Sequence, residues 1–340
     1  MRAAYLTAPG KLELREVMDP TPGPGEIVLR VRAALTCGTD LKAYRRGHHA
    51  MPFPTPLGHE FAGEVVAVGD GVQRFPPGTE VMAVHSAPCG ACRDCQRGQE
   101  NLCAHAFSTM ALGGFAEYMR LPARVVKSNT FVKPASLSFE QAAFLEPLSC
   151  VVQGLTKSGF KAGDTVIVLG SGAIGLMHLV LARKLGAEQV VVVGRGAERL
   201  ALAARLGADL VIDARESQAT ERACEATDGG ADLVIECAGM PAAWEAAPAL
   251  ARRGGRVLLF GGCKVGTWAS FDTRRLHYDE LTLVGSFHFT PRAVAEAQQL
   301  LAKGSLDLTP LISERQPLAN ITEVFARMDR GVGLKYALTP

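Results

Sequence analysis

The chain has 340 residues, 48% of them hydrophobic and 21% charged, with a formal net charge of +2. That composition describes an ordinary globular protein with ample core and room for two domains. The near-neutral balance, without a basic block, argues against a nucleic-acid binder or a ligand of anionic membranes. Met1-Arg2-Ala3-Ala4-Tyr5 turns polar too soon for a secretory signal, so a cytoplasmic location is expected.

Residues 12–17 alternate, and residues 27–33 alternate strictly after the turn Pro22-Gly23-Pro24-Gly25. Residues 63–68 and 80–84 read as further strands, bounded by Gly69-Asp70-Gly71 and Pro76-Pro77-Gly78. Short strands between Gly/Pro turns predict a compact β-barrel-like domain.

Two chemical signals fall on its loops. The first is Cys37-Gly38-Thr39-Asp40, followed by Gly58-His59-Glu60. Thiolate and neutral imidazole are preferred zinc ligands, and a carboxylate can complete the set. Taken alone, the pair fits a buried thiol and a hydrogen-bonded histidine about as well. The second is sharper: Cys89, Cys92, Cys95 and Cys103 stand at C-x2-C-x2-C-x7-C. Four thiolates on one short loop can close a tetrahedral zinc site with no position left for chemistry. The other five of the nine cysteines, at 37, 150, 224, 237 and 263, are scattered. An odd, uneven set argues against a disulfide framework. A redox disulfide set is the alternative for the cluster, but it has no use for a third and fourth cysteine.

Glu146 lies in Phe144-Leu145-Glu146-Pro147-Leu148, an otherwise apolar run where an acid needs a partner. Then Val166-Ile-Val-Leu-Gly170-Ser171-Gly172-Ala173-Ile174-Gly175 combines a β-branched run with G-x-G-x-x-G and a helical apolar pattern. Strand, tight turn and helix offer backbone N–H groups to a pyrophosphate. Residues 165–182 carry no formal charge and match a membrane span in length. Three glycines and a serine at the centre favour a buried strand plus helix instead.

Strands at 189–193, 210–212, 232–237, 256–260 and 281–285 alternate with helices at 197–206 and 242–251, predicting a doubly wound parallel sheet. Ligand belongs at the strand carboxyl ends, so Ala238, Gly239, Gly261, Gly262, Ser286 and Phe287 join residues 170–175 as candidate cofactor contacts. An NAD-specific site wants a carboxylate about twenty residues past the glycines. Here Gly194 stands there, followed by Arg195 and, one turn on, Arg199. A missing carboxylate removes repulsion toward a 2′-phosphate, and a guanidinium can grip one, so NADP is favoured over NAD. The alternative is that both arginines only solvate the helix start. Further helices are expected at 291–302 and 321–328, with strand-like segments at 311–313 and 335–338.

In these motifs and their order the chain resembles the zinc-dependent medium-chain alcohol dehydrogenases, nearest the polyol (sorbitol-type) and threonine dehydrogenase branch. The resemblance rests on the Cys37 loop, Gly58-His59-Glu60, the four-cysteine lobe, Glu146-Pro147-Leu148 and the glycine turn. It implies an α/β protein with a GroES-like β-barrel catalytic domain, residues 1–150 completed by 291–340, and a Rossmann dinucleotide-binding domain at 151–290. It implies that Cys37, His59 and either Glu60 or Glu146 bind a catalytic zinc, while Cys89, Cys92, Cys95 and Cys103 bind a structural one. Lys335 matches a basic position lying near the acid after the zinc histidine, here Glu60; a surface lysine is equally plausible.

The activity implied is reversible hydride transfer between a nicotinamide cofactor and a secondary alcohol or polyol, or the matching ketone. Zinc would act as Lewis acid, and Thr39 would accept the hydroxyl hydrogen. Asp40 is expected to orient the loop. Family members often carry a histidine two residues after that Asp; this chain has Lys42, and His48 or His49 could replace the relay. Residues 44–53 and 107–115 are expected to line the pocket. The partner is a small-molecule alcohol, with no nucleic acid or membrane, and assembly into dimers or tetramers is expected. Threonine oxidation is the alternative within this chemistry. A non-catalytic NADPH-binding redox-sensing module and a zinc-free quinone reductase are alternatives outside it, disfavoured by Cys37, Thr39, His59 and Glu146 together.

Overall fold

The computed structural model describes residues 1–47 and 51–340, so His48 and His49 lie outside the described residues. The chain divides into two compact units, Met1–Ser149 with Phe289–Pro340, and Cys150–His288.

In the first unit, the strands Ile312–Pro317, Lys335–Thr339, Ile27–Leu35, Glu60–Val68, Glu80–Val84 and Thr130–Val132 lie side by side in that order, with Tyr118–Leu121 also on Ile27–Leu35. A smaller sheet sets Arg2–Ala8 between Lys11–Glu16 and Thr55–Pro56. Strand alternation turns Ile27, Leu29 and Val31 into a core with Phe61, Phe115, Phe325 and Tyr336, all buried. Register is what matters for function. Leu35 faces Ala337 and Glu60, and Glu60 faces Val84. The segments just beyond these strand ends, 36–37, 59 and 85, are therefore neighbours.

In the second unit, six parallel strands run Leu210–Asp213, Gln189–Gly194, Thr165–Leu169, Ala231–Glu236, Ala251–Leu259, Thr282–Gly285. In sequence order that is 3-2-1-4-5-6, the doubly wound arrangement. Val166, Ile167 and Val168 are fully buried, as expected for a strand covered on both faces. The uncharged run at 165–182 is split between strand Thr165–Leu169 and helix Ala173–Lys184. No helix among the described residues is long and apolar enough to cross a membrane.

Some elements differ from the sequence pattern. The expected loop after Cys37 is a helix, Gly38–Arg46. The expected helix at 242–251 is shorter: Pro241–Ala246 passes into a 3-10 turn, Ala247–Leu250, because Pro248 cannot donate to an α-helical ladder. The strand Arg2–Ala8 and the helices Leu145–Ser158 and Ala219–Ala226 have no marker in the pattern above.

His178, in helix Ala173–Lys184, is fully buried, with Nδ1 3.0 Å from the Ile174 carbonyl and its ring edge-on to Phe260. Burial pushes its pKa down to about 4, against the help of that carbonyl. In the unfolded chain histidine titrates near about 6.5. Below that pH the unfolded state takes up a proton that the native state refuses, so stability is lost from about pH 6.5 down to about 4 and levels off beneath. The difference in unfolding free energy between wild type and His178→Leu should shift by about 2.5 kcal/mol between pH 7 and pH 4.5. Denaturant melts measure it; parallel profiles for the two proteins would exclude a buried neutral His178.

Candidate metal centre and cofactor turn

Helix Gly38–Arg46 begins with a capping box that a cysteine closes. The Cys37 Sγ accepts the Thr39 N–H at 3.4 Å, and the Asp40 Oδ2 accepts the Cys37 N–H at 3.1 Å. The other Asp40 oxygen lies 3.1 Å from Nδ1 of His59. With Nδ1 engaged, Nε2 is the ring nitrogen left for a metal. Asp40 thus orients both the helix start and the imidazole. Burial works against charge on His59, yet the Asp40 carboxylate and the Cys37 sulfur hold its pKa well above the usual value.

Ligand atoms of Cys37, His59 and Glu60 all lie within 4.8 Å of one another. Glu60 is fully buried. Its Oε2 accepts from the Lys335 ammonium, which also donates to the Thr36 carbonyl at 3.0 Å. Its Oε1 has no hydrogen-bond partner among the described residues. Burial pushes the Glu60 carboxyl up to about 7; Lys335 opposes this and Glu146 adds to it. A soft thiolate, an imidazole and a buried carboxylate with one vacant oxygen form a donor set that suits zinc.

Glu146 is outside that grouping and sits 3.4 Å from Nδ1 of His85. His85 is the residue that sequence reasoning missed. It follows strand Glu80–Val84, is nearly buried, and stands edge-on to His59 at 5.2 Å and to Phe289 at 5.6 Å. Burial lowers its pKa although Glu146 favours the charged form. A histidine closing an apolar strand was the available signal, and only register shows that it faces His59.

The four lobe cysteines converge. Sγ–Sγ distances are 3.5 Å for Cys92–Cys95, 3.8 Å for Cys92–Cys103 and 4.0 Å for Cys89–Cys95. Thiolates bonded to one tetrahedral zinc stand about 3.8 Å apart. N–H groups of Ala91 and Cys92 point at Cys89 and lower its pKa. The Cys95 N–H contributes most to bringing Cys92 down to about 6. None of the nine cysteines is in a disulfide.

In the second unit the glycine turn has the geometry its spacing suggests. Gly170 has φ of +119°, a region that favours glycine. A Cβ on Gly175 would collide with the Gly170 carbonyl, so helix and strand approach closely only without one. Gly172 meets nothing within 4 Å and is the N-cap of Ala173–Lys184, with no side chain claiming the helix's first N–H groups. Ile174 lies in the first turn of that helix. The N–H groups of Ala238 and Gly239 are tied to Glu236 Oε1 at 2.7 and 2.8 Å, and Gly261 donates to the Glu236 carbonyl at 2.9 Å. Gly262 follows at the same strand end. Ser286 and Phe287 follow the edge strand Thr282–Gly285, with Phe287 exposed. Gly194 ends its strand; Arg195 beyond it is exposed and Arg199 half-buried.

A doubly wound sheet with an open glycine turn, together with a GroES-like unit that gathers two metal-type donor sets, defines a zinc oxidoreductase of two units. Residues 23–130 match the alcohol dehydrogenase GroES-like domain, and residues 173–303 match the zinc-binding dehydrogenase domain. A sorbitol dehydrogenase of Halalkalibacterium halodurans is 32% identical, covering 97% of this chain and 96% of its own. An L-threonine 3-dehydrogenase of Saccharopolyspora erythraea is 34% identical over 96% of this chain and 95% of its own. A zinc-binding dehydrogenase of Sinorhizobium meliloti 1021, solved bound to NADP, superposes with a TM-score of 0.92 at 34% identity, covering 100% of this chain and 99% of its own. The chain belongs to the zinc-dependent medium-chain alcohol dehydrogenase family.

Proposed function

We propose that this protein transfers a hydride between a secondary alcohol or polyol, or the matching ketone, and NADP. The observation that carries the reading is the Cys37–His59–Glu60 donor set with its vacant buried carboxylate oxygen. Residues 1–150 with 291–340 form the catalytic domain in this reading, and residues 151–290 the dinucleotide-binding domain. Cys37, His59 and one of Glu60 or Glu146 would hold the catalytic zinc. Cys89, Cys92, Cys95 and Cys103 would hold a structural one. When bound, zinc supplies Lewis acidity that lowers the pKa of an alcohol, and the nicotinamide supplies the hydride acceptor.

The chain's own residues bind, orient and move the proton. Asp40 holds His59 in the tautomer that leaves Nε2 for the metal. Thr39, on the first turn of the Cys37 helix, accepts the substrate hydroxyl proton at Oγ1. Residues 170–175, 238–239, 261–262 and 286–287 receive the dinucleotide. Arg195 and Arg199 meet the 2′-phosphate. NADP is supported by Gly194-Arg195 and by the relative solved with NADP; a polyol is supported by the sorbitol dehydrogenase relatives. Threonine is the second reading, supported by the threonine dehydrogenase relatives at similar identity.

Fluorescence titration with NADPH and NADH is the test that needs no substrate. NADPH should bind about tenfold or more tightly than NADH, the worth of one charge-assisted phosphate contact. Tighter NADH binding would overturn the NADP assignment and turn the substrate search to polyol oxidation with NAD.

A further inference from the structure

We infer that Ser171 is a cofactor-specificity residue: its hydroxyl locks the Arg195 backbone beside position 194, a position that residue 171 closes to any side chain. The inference rests on the proposed NADP reading of the same strand end.

One hydroxyl holds both backbone groups of one residue. Ser171 Oγ donates to the Arg195 carbonyl at 2.8 Å and accepts the Arg195 N–H at 3.1 Å. Ser171 itself is buried, so water does not compete for these bonds. The exposed Arg195 side chain therefore leaves a backbone that cannot turn.

Residue 171, backbone and side chain together, closes position 194 to any side chain. A Cβ there would lie 2.5 Å from Ser171 Oγ, 2.6 Å from its Cβ and 2.8 Å from its backbone nitrogen. A rotamer change moves only the first of these three atoms. A carboxylate side chain that would accept an unphosphorylated ribose diol from this strand end is therefore excluded by residue 171, its backbone nitrogen included. The nearest carboxylate is engaged by an arginine. Asp213 lies opposite Gly194 in the parallel register, and Arg215 grips its carboxylate in a fork, with Nε at 3.0 and 3.2 Å and Nη2 at 2.6 Å. Discrimination against the unphosphorylated cofactor is thus built in as exclusion, beside the attraction of Arg195 for phosphate.

The test separates the 2′-phosphate from the rest of the cofactor. Binding of adenosine 2′,5′-bisphosphate and of 5′-AMP to the holoenzyme is measured by calorimetry or by displacement of NADPH. Ser171→Ala should lower bisphosphate affinity by about three- to tenfold, the worth of a neutral hydrogen-bond pair, and leave 5′-AMP within about twofold. Equal weakening of both probes would reduce Ser171 to a structural member of the turn and overturn the inference. Gly194→Asp should lose bisphosphate affinity and gain none for NADH. A gain in NADH affinity by Gly194→Asp would also overturn it. A wild-type protein that does not prefer the bisphosphate over 5′-AMP is a separate result, which removes the NADP reading itself and the inference with it.

Discussion

Cys37→Ala is expected to abolish alcohol oxidation, by about 10³-fold or more, while NADPH affinity stays within about twofold. Lewis-acid stabilisation by a bound metal contributes several kcal/mol to the transition state, and each 1.36 kcal/mol is about a factor of ten. Cys37 offers the only sulfur in its donor set, beside His59 and Glu60. The glycine turn belongs to the other compact unit, Cys150–His288. Zinc measured by plasma mass spectrometry should fall from about two ions per chain to about one, because the four-cysteine set is untouched. Unchanged turnover would sink the zinc mechanism. A wild-type protein that binds NADPH and turns over neither alcohols nor ketones would instead favour a non-catalytic NADPH-binding module.

In the zinc-free protein, Lys335→Met is expected to lower stability by about 3–5 kcal/mol, through the carboxylate it leaves behind. Lys335 and Glu60 are both buried, and the ammonium is shared between Glu60 and the Thr36 carbonyl. Burial opposes charge on both groups, and each favours the charged form of the other: Glu60 raises the Lys335 pKa against desolvation, and Lys335 restrains the rise at Glu60. Removing one partner leaves the desolvation penalty of the other without its Coulombic offset. At about 2–4 °C per kcal/mol for a unit of this size, the melting temperature should fall by roughly 6–20 °C. Glu60→Gln in the same chain should recover much of the loss, since a neutral amide needs no counter-charge. A melting temperature unchanged in Lys335→Met would show that the pair contributes no net stability. Failure of the second substitution to recover any would place the damage in packing rather than in charge.

The two halves of the candidate site differ in how far the sequence reveals them. The cofactor turn is local. Gly170, Gly172 and Gly175 lie within six residues, and each has one steric duty that spacing alone expresses: a positive φ, open space, and a close helix–strand approach. The four-cysteine lobe is local as well, since fifteen residues bring all four sulfurs to metal-ligand separation. The catalytic donor set is not. Cys37 and His59 are twenty-two residues apart, and neither residue type says which strand its neighbour pairs with.

By itself, then, the sequence determined the strands of the parallel sheet, the open glycine turn, the cysteine lobe, and the absence of a carboxylate at Gly194. All of these rest on hydrophobic periodicity, backbone sterics or short-range spacing. Tertiary structure decided the rest. Antiparallel register set Leu35 opposite Glu60 and Glu60 opposite Val84, and so brought His85 to His59 and left Glu146 beside His85. The return of strand Lys335–Thr339 to Ile27–Leu35 gave Glu60 its buried counter-charge across a separation of 275 residues. Parallel pairing of the strands ending at Leu169 and Gly194 closed position 194 with Ser171. Contacts of that kind depend on which strands pair and in which register, and a one-residue slip would turn every side chain to the opposite face.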